Sequence, residues 1–163
     1  MFKLLNFIIF LCMIVLISAC NTTESTTQDE PKHWHVGGDL REETSSIETL
    51  PTMLAEKDDS IKEIYLSAAK HPEILRYMPC YCGCSISAGH KDSSACFYSE
   101  IREDGSIVWD NHGAKCMTCL EIAKTSVAMF NEGKSLYEIR TTIDTYYTEK
   151  GYKNPTPTKM PQK

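Results

Sequence analysis

The chain has 163 residues, with 17 basic and 22 acidic side chains and a formal net charge of −5. One domain is expected at this length, and the acidic balance argues against nucleic acid or anionic lipid headgroups as partners. The sequence has no glycine-rich phosphate loop and no H-E-x-x-H pattern, so it predicts neither a nucleotide cofactor nor a zinc protease. Its unusual feature is a content of eight cysteines.

Residues 1–19 are predicted to be a signal peptide. Lys3 precedes an apolar run over residues 4–17, and small residues follow, an order that is typical of an export signal. The run is shorter than the ~20 apolar residues of a membrane-spanning helix, which disfavours the alternative of a short uncleaved anchor.

The segment Ser18-Ala19-Cys20 resembles the lipobox of bacterial lipoproteins. That resemblance implies cleavage before Cys20 and a thioether-linked diacylglycerol on its sulfur, with acyl chains such as palmitate. Two or more acyl chains give stable anchoring, whereas one chain is marginal. The expected location is therefore the cell membrane, with the protein lipid-anchored and facing the extracytoplasmic side.

Residues 20–50 are predicted to be a lipidated cysteine followed by a disordered tether. Residues 22–30 contain nothing to bury, and such a composition does not offset the entropy lost on ordering. His33-Trp34-His35 falls on this tether; it could form an auxiliary Cu(II) or Zn(II) site, although an exposed linker is favoured. The folded domain is predicted to span residues 51–152, followed by an extended, flexible tail over residues 153–163.

We predict a mainly α-helical domain, a small helical bundle with a cysteine-rich loop. Ser60–Glu63 is a capping-box pattern, and apolar residues follow it at helical spacing until Pro72 ends the helix. A further helix is predicted from about Lys115 to Gly133. A second capping box at Ser135–Glu138 begins the last helix, which should pair antiparallel with the one before it.

One short β-hairpin is also predicted. Residues 97–101 and 107–109 are apolar runs that flank Asp104-Gly105. A D-G turn between two apolar runs is a hairpin signal.

The first cysteine cluster is Pro79-Cys80-Tyr81-Cys82-Gly83-Cys84. Gly83 allows the loop to fold so that the three sulfurs converge. Cys-x-Cys pairs make poor disulfides, because the required separation and torsion are hard to reach without strain. Convergent thiolates suit a soft metal better, namely Cu(I), Zn(II) or an iron–sulfur cluster.

The second cluster is Cys116-Met117-Thr118-Cys119, at the predicted start of a helix. Residues three apart share a helix face, and the helix N-terminus favours the thiolate form as ligand or nucleophile. Haem attachment would need histidine directly after the second cysteine, but Leu120 stands there, so no haem is expected.

The six-residue cluster resembles the bacterial lipoprotein family named for its PCYCGC motif, whose function is uncharacterised. The likeness covers about residues 75–150, including Gly89-His90, Cys96 and the turn at residues 110–113. A weaker likeness, over about residues 115–150, is to the thiol-reducing subunit of cytochrome c maturation, a three-helix bundle that acts through a C-x-x-C pair. This chain differs from that subunit in having four further cysteines upstream of its C-x-x-C pair.

Three interpretations of the six cysteines stay open. The favoured one is a Cu(I) site for metal buffering or delivery, with Zn(II) less favoured because one tetrahedral zinc ion uses four ligands at most. The second is a set of three disulfides that staple an exported structural or interaction domain, with 15 connectivities allowed. The third is thiol–disulfide exchange through Cys116 and Cys119. The metal-ligand candidates are Cys80, Cys82, Cys84, Cys116, Cys119, Cys96, His90 and His112.

The predicted partners follow from these interpretations. The lipid on Cys20 would bind the membrane, and the thiols would serve a metal-accepting or a thiol-exchanging protein. The metal interpretation needs thiolates in a compartment that tends to oxidise them. No catalytic residue is assigned, apart from the alternative redox pair.

Overall fold

The computed structural model describes residues 32–83 and 85–163. The predicted signal peptide, Cys20 and Cys84 lie outside the described residues. The regular elements of the described part are strands β1 (His33–Val36), β2 (Asp39–Thr44), β3 (Tyr98–Ile101) and β4 (Ile107–Asp110) and helices α1 (Asp59–Lys70), α2 (Pro72–Leu75), α3 (Ser85–Ala88), α4 (Met117–Asn131) and α5 (Leu136–Glu149). Single 3₁₀ turns occur at Thr52–Leu54, Ser93–Cys96 and Gly113–Lys115.

The four strands form one antiparallel sheet in the order β1-β2-β4-β3. The β3–β4 hairpin turns at Asp104-Gly105, as predicted from the sequence. β2 pairs with the other edge of β4 and places Glu42 opposite Trp109. Since β1 and β2 are far from β4 in the chain, this pairing joins two distant segments into one sheet.

The prediction of a mainly α-helical bundle is wrong, because the domain is mixed α/β with a four-stranded antiparallel sheet. Half of that sheet comes from residues 33–44, which were predicted to belong to the disordered tether. These residues are stabilised by partners that are distant in sequence. Trp109 Nε1 donates to Thr44 Oγ1 at 2.8 Å, and Arg41 Nε donates to Asp110 Oδ2 at 2.9 Å.

The helix ends agree only in part with the capping patterns. The capping box at Ser135–Glu138 is confirmed, with both reciprocal hydrogen bonds present. The one at Ser60–Glu63 is wrong, because the N-cap residue of α1 is Asp58, two residues before Ser60, and it makes no side-chain cap. Pro72 separates α1 from α2 as predicted, since proline disfavours helical geometry in the residue before it.

Tyr65 of α1 joins the helices to the sheet. Its ring is fully buried and makes an edge-to-face contact with Phe97 at 5.0 Å between centroids. Its hydroxyl donates to the carbonyl of Asp110 and accepts from the backbone N–H of Ala114, both at 2.9 Å. This one side chain therefore connects the end of β4 to the turn that leads into α4.

α4 is the central helix of the described domain and packs against α1, α2 and α5. The C-terminal tail, predicted to be flexible, has no regular structure but packs onto the domain, where Thr156 is buried. None of the helices in the described ranges is both long and apolar enough to cross a membrane.

Candidate metal centre

Sulfur atoms from three separate segments meet inside the domain. Cys80 and Cys82 come from the loop after Pro79, Cys96 from a 3₁₀ turn, and Cys119 from the first turn of α4. Cys80 Sγ lies 3.0 Å from Cys82 Sγ, 3.7 Å from Cys96 Sγ and 3.8 Å from Cys119 Sγ. Because one sulfur has three sulfur neighbours, the arrangement is a shared cluster and not a set of pairs.

The loop that carries Cys80 is held from both sides. The Cys80 N–H donates to Thr156 Oγ1 at 2.8 Å, and the Thr156 N–H donates back to the Cys80 carbonyl at 3.0 Å. On the other side, Ser93 Oγ donates to the carbonyl of Pro79 at 2.9 Å. The C-terminal tail and the 3₁₀ turn that contains Cys96 therefore fix the loop backbone. As a result, the Cys80 sulfur is positioned before any ligand binds.

Arg140 of α5 holds the backbone just before this loop in the chain through hydrogen bonds. Its Nη1 donates to the carbonyl of Tyr77 at 2.9 Å and to that of Thr158 at 3.2 Å. Its Nε donates to Asp144, which also accepts a hydrogen bond from Tyr81 at 2.8 Å. Arg140 therefore ties the last helix, the tail and the cysteine loop together.

The C-x-x-C segment begins α4, as predicted. Cys116 is the N-cap residue, with an extended backbone (φ −131°, ψ 104°), and Cys119 lies one turn further and is buried. Cys116 is half-buried, whereas Met117 beside it is 69% exposed. The pair therefore has one sulfur inside the protein and one near the surface.

Two histidines complete the cluster. His90 Nδ1 lies 3.5 Å from Cys96 Sγ, and His112 Nε2 lies 3.8 Å from Cys82 Sγ. Their rings meet edge to face with centroids 4.5 Å apart. Both histidines are buried, so each has a nitrogen inside the protein that can serve as a metal ligand.

Gly113 allows the turn that carries His112 to approach the core. A Cβ at this position would lie 2.8 Å from Phe97 Cε1 and 2.9 Å from the carbonyl oxygen of Cys96. A side chain there would push this turn away from the cysteines.

Asp39 orients His112 and was missed as a site residue by the sequence analysis. Its Oδ2 accepts from His112 Nδ1 at 3.0 Å, and its Oδ1 accepts from Lys115 Nζ at 2.8 Å. A carboxylate on one imidazole nitrogen fixes the tautomer and leaves the other nitrogen able to bind a metal. Here the other nitrogen, Nε2, is the one that lies near Cys82.

A local signal for the hairpin that carries Asp39 was present in the sequence. Gly37-Gly38 separates β1 from β2. A pair of glycines between two short runs of residues that favour strands is a hairpin signal. Gly37 has φ +60°, at the turn position where type II′ requires glycine. The contact of Asp39 with His112 had no local signal, because 73 positions separate the two residues.

The electrostatics of the cluster favour thiolates on Cys80 and Cys82. Hydrogen bonds from Cys119, and then from Cys82 and Cys96, hold the pKa of Cys80 far below its usual range. Cys116, followed by Cys119, lowers the pKa of Cys82 to about 4. The protons stay on Cys119, whose pKa is raised mainly by its hydrogen bonds to Cys116 and Cys80.

His112 carries a proton on Nε2 beside these thiolates, and a metal ion bound at Nε2 would replace that proton. Its hydrogen bond to Cys82 raises its pKa to about 9; burial opposes the shift, and Asp39 supports it. Burial raises the pKa of Asp39, but hydrogen bonds from Lys115 and His112 outweigh that effect and leave this pKa below its usual value. The site thus combines thiolates, an imidazole and a carboxylate within a few ångströms.

The spacing of the donor atoms fits metal coordination. A metal ion about 2.3 Å from sulfur and about 2.0–2.1 Å from imidazole nitrogen, at tetrahedral angles, sets two sulfurs about 3.8 Å apart and a sulfur–nitrogen pair about 3.6 Å apart. The Cys80–Cys119 and Cys80–Cys96 distances are 3.8 and 3.7 Å, and the Cys96–His90 distance is 3.5 Å. The protein therefore holds these atoms at separations that a bound ion requires.

Most of the predicted ligand residues come together in the described part of the chain. The members of the cluster are Cys80, Cys82, Cys96, Cys116, Cys119, His90 and His112. Cys84 lies outside the described residues. His33 and His35 lie on β1 and belong to none of the metal-ligand groups found among the described residues.

Fold and site together define a mixed α/β domain with a buried cluster of cysteine and histidine ligands. The sequence pattern of a family described as "Protein of unknown function with PCYCGC motif" matches residues 8–161. The chain therefore belongs to this family, as the motif at residues 79–84 predicted. Neither the curated proteins nor the solved structures give a match, and the likeness to the cytochrome c maturation subunit is unsupported.

Proposed function

We propose that this protein is a lipid-anchored extracytoplasmic protein that binds Cu(I) through its clustered thiols and buffers or delivers the metal. The observation that carries the proposal is the convergence of Cys80, Cys96 and Cys119 from three segments, with Cys80 within 3.8 Å of both other sulfurs. Soft thiolate sites select Cu(I), Zn(II) or iron–sulfur clusters. The coarser part of the proposal, a metal-ligand cluster, is present in the geometry described above.

The donor set favours copper over zinc. A structural zinc site uses four ligands, whereas five cysteines and two histidines gather here among the described residues. Thiolate-rich clusters suit Cu(I), the softer of the two ions. The interior is apolar around Cys80, Cys96 and Cys119, which belong to the hydrophobic core.

The disulfide interpretation is less favoured. A disulfide joins two sulfurs only, whereas Cys80 has three sulfur neighbours at similar range. Adjacent Cys-x-Cys pairs such as Cys80 and Cys82 are also poor bridges.

The metal-binding test uses the full chain purified in detergent without oxygen. Elemental analysis and thiol counting are done on the same sample, which is then titrated in parallel with Cu(I) and Zn(II). We expect Cu(I) to displace Zn(II), with ultraviolet thiolate-to-metal absorption that falls sharply in Cys82→Ser. Met117→Ser, at an exposed neighbour of the cluster, is the control. A protein that has no reactive thiols when extracted anaerobically and binds no metal would refute the proposal.

The membrane anchor is tested separately. Lys3, the apolar run after it and Ser18-Ala19-Cys20 support lipidation of Cys20. Cells given labelled palmitate should yield a labelled protein in the membrane fraction. Cys20→Ser should lose the label, whereas Cys12→Ser should keep it. An equally labelled Cys20→Ser protein would rule out this anchor.

A further inference from the structure

We infer that the cluster holds two Cu(I) ions, an inner and an outer one, and that copper exchanges with the surroundings through the outer position. This inference rests on the proposed copper function. It is carried by two groups of donors that share no residue, one of Cys80, His90 and Cys96 and one of Cys82, His112, Cys116 and Cys119; the remaining group, Asp39, His90 and His112, links the two through its histidines. Within each group, all donor atoms lie within 4.8 Å of one another.

The inner group is sealed from solvent. Cys80 and Cys96 are 0% exposed and His90 is 6% exposed. Cys96 Sγ lies 3.7 Å from Cys80 Sγ and 3.5 Å from His90 Nδ1. Two sulfurs and one nitrogen give a soft ion three ligands in an interior that excludes water, and an ion held there leaves only when the protein opens locally.

The outer group reaches a surface cavity. Cys82 and Cys116 are half-buried, and both line a cavity of about 460 Å³ together with His112 and Tyr152. Tyr152 is itself exposed. An acceptor protein or a small chelator can therefore approach these two sulfurs, whereas it cannot approach Cys80 or Cys96.

The two groups are neighbours and not separate sites. Cys80 Sγ of the inner group lies 3.0 Å from Cys82 Sγ and 3.8 Å from Cys119 Sγ of the outer group. A separation of 3.0 Å is shorter than the roughly 3.8 Å that two sulfurs on one tetrahedral ion require. Cys80 and Cys82 are therefore not placed to share one ion, whereas Cys80 and Cys119 lie at the separation of two sulfurs on a common ion. One of these two sulfurs can thus bridge the inner and the outer ion and pass copper from one to the other.

Seven donors exceed what one ion can use. Four ligands complete a tetrahedral centre, so a single ion would leave at least three of the seven without a metal. Two ions use both groups. The inner ion would then be a retained one that stabilises the domain, and the outer ion would be the one delivered.

The test measures copper stoichiometry and removal rates on the full chain in detergent, without oxygen. The chain is saturated with Cu(I), excess copper is removed, and bathocuproine disulfonate is added as a chromophoric Cu(I) chelator. We expect two ions per chain, one removed rapidly and one at least about tenfold more slowly, because its release needs a local opening. X-ray absorption of the loaded chain should show a copper neighbour beyond the first ligand shell.

Two variants separate the positions. Cys116→Ser should remove the rapidly released ion and keep the slow one, with Met117→Ser as its control. His90→Gln should remove the slow ion and keep the rapid one, with His71→Gln as its control. If His90→Gln fails to fold, the X-ray absorption result on the unaltered chain decides the question alone.

The outcomes distinguish this inference from the proposed function. A chain that binds one ion, or two ions released at the same rate, overturns the inference and leaves copper binding intact. Loss of the same ion in both variants also overturns it. A chain that binds no Cu(I) overturns both the inference and the proposed function.

Discussion

Replacing Asp39 by asparagine should weaken copper binding at the outer position without unfolding the protein. Asp39 accepts from His112 Nδ1 at 3.0 Å and from Lys115 Nζ at 2.8 Å, and it is 8% exposed. Asparagine has the same shape and can still accept from the imidazole. It cannot supply the negative charge that makes Nε2 of His112 a stronger ligand.

The expected loss follows from the role of this carboxylate. Removing a group that orients a ligating histidine costs about 10–100-fold in metal affinity, which is about 1.4–2.8 kcal/mol. Lys115→Gln is the matched control, because it removes the other partner of Asp39 and leaves the carboxylate–imidazole hydrogen bond in place. We expect that change to be less than about threefold, since the Lys115 side chain is 46% exposed and its ion pair is screened by solvent.

The assay is competition for Cu(I) between the full chain and a chromophoric chelator, without oxygen. Thermal unfolding of the metal-free variants checks that both are folded. An Asp39→Asn protein that is folded and binds Cu(I) as tightly as the unaltered chain would refute the role of Asp39. Equal losses in Asp39→Asn and Lys115→Gln would show that the effect is general electrostatics and not orientation of His112.

Three further predictions concern stability. Gly113→Ala should lower the free energy of unfolding by about 1–3 kcal/mol, because its Cβ would lie 2.8 Å from a carbon of Phe97. Gly38→Ala is the control, since a Cβ there would have no atom within 4 Å. Equal urea midpoints for the two variants would contradict the reasoning. Arg41→Met should cost about 3 kcal/mol, since it removes the charged partner of the buried Asp110 carboxylate; an unchanged melting temperature would argue against it. Cu(I) at about 1,000 times its dissociation constant should stabilise the chain by about 4 kcal/mol. Acid should reduce this stabilisation, because protons compete with the metal for the thiolates. Calorimetry with and without metal at two pH values measures both effects.

Three features set by neighbouring residues were predicted correctly from the sequence, whereas the start of α1 and the Gly37-Gly38 turn were not. The D-G turn between β3 and β4, the capping box at Ser135–Glu138 and the helix that begins at the C-x-x-C pair all depend on residues within a few positions of each other. The alternating cysteines of residues 79–84 likewise predicted the family, which the match over residues 8–161 confirms. The idea that distant cysteines meet in one pocket rested on their chemistry, because no local pattern contains it.

Only the tertiary structure decided the sheet and the surroundings of the cluster. β2 joins β4 across about 65 intervening positions, and a polar strand such as Asp39–Thr44 resembles a linker until its partner is known. Long-range antiparallel pairing is stabilised by contacts on the partner strand and not by the propensity of the segment itself. The same reason applies to Asp39 and Thr156, which act on His112 and Cys80 through hydrogen bonds across 73 and 76 positions. The sequence alone therefore determined the D-G turn, the starts of α4 and α5 and the thiols, and the fold determined which side chains surround them.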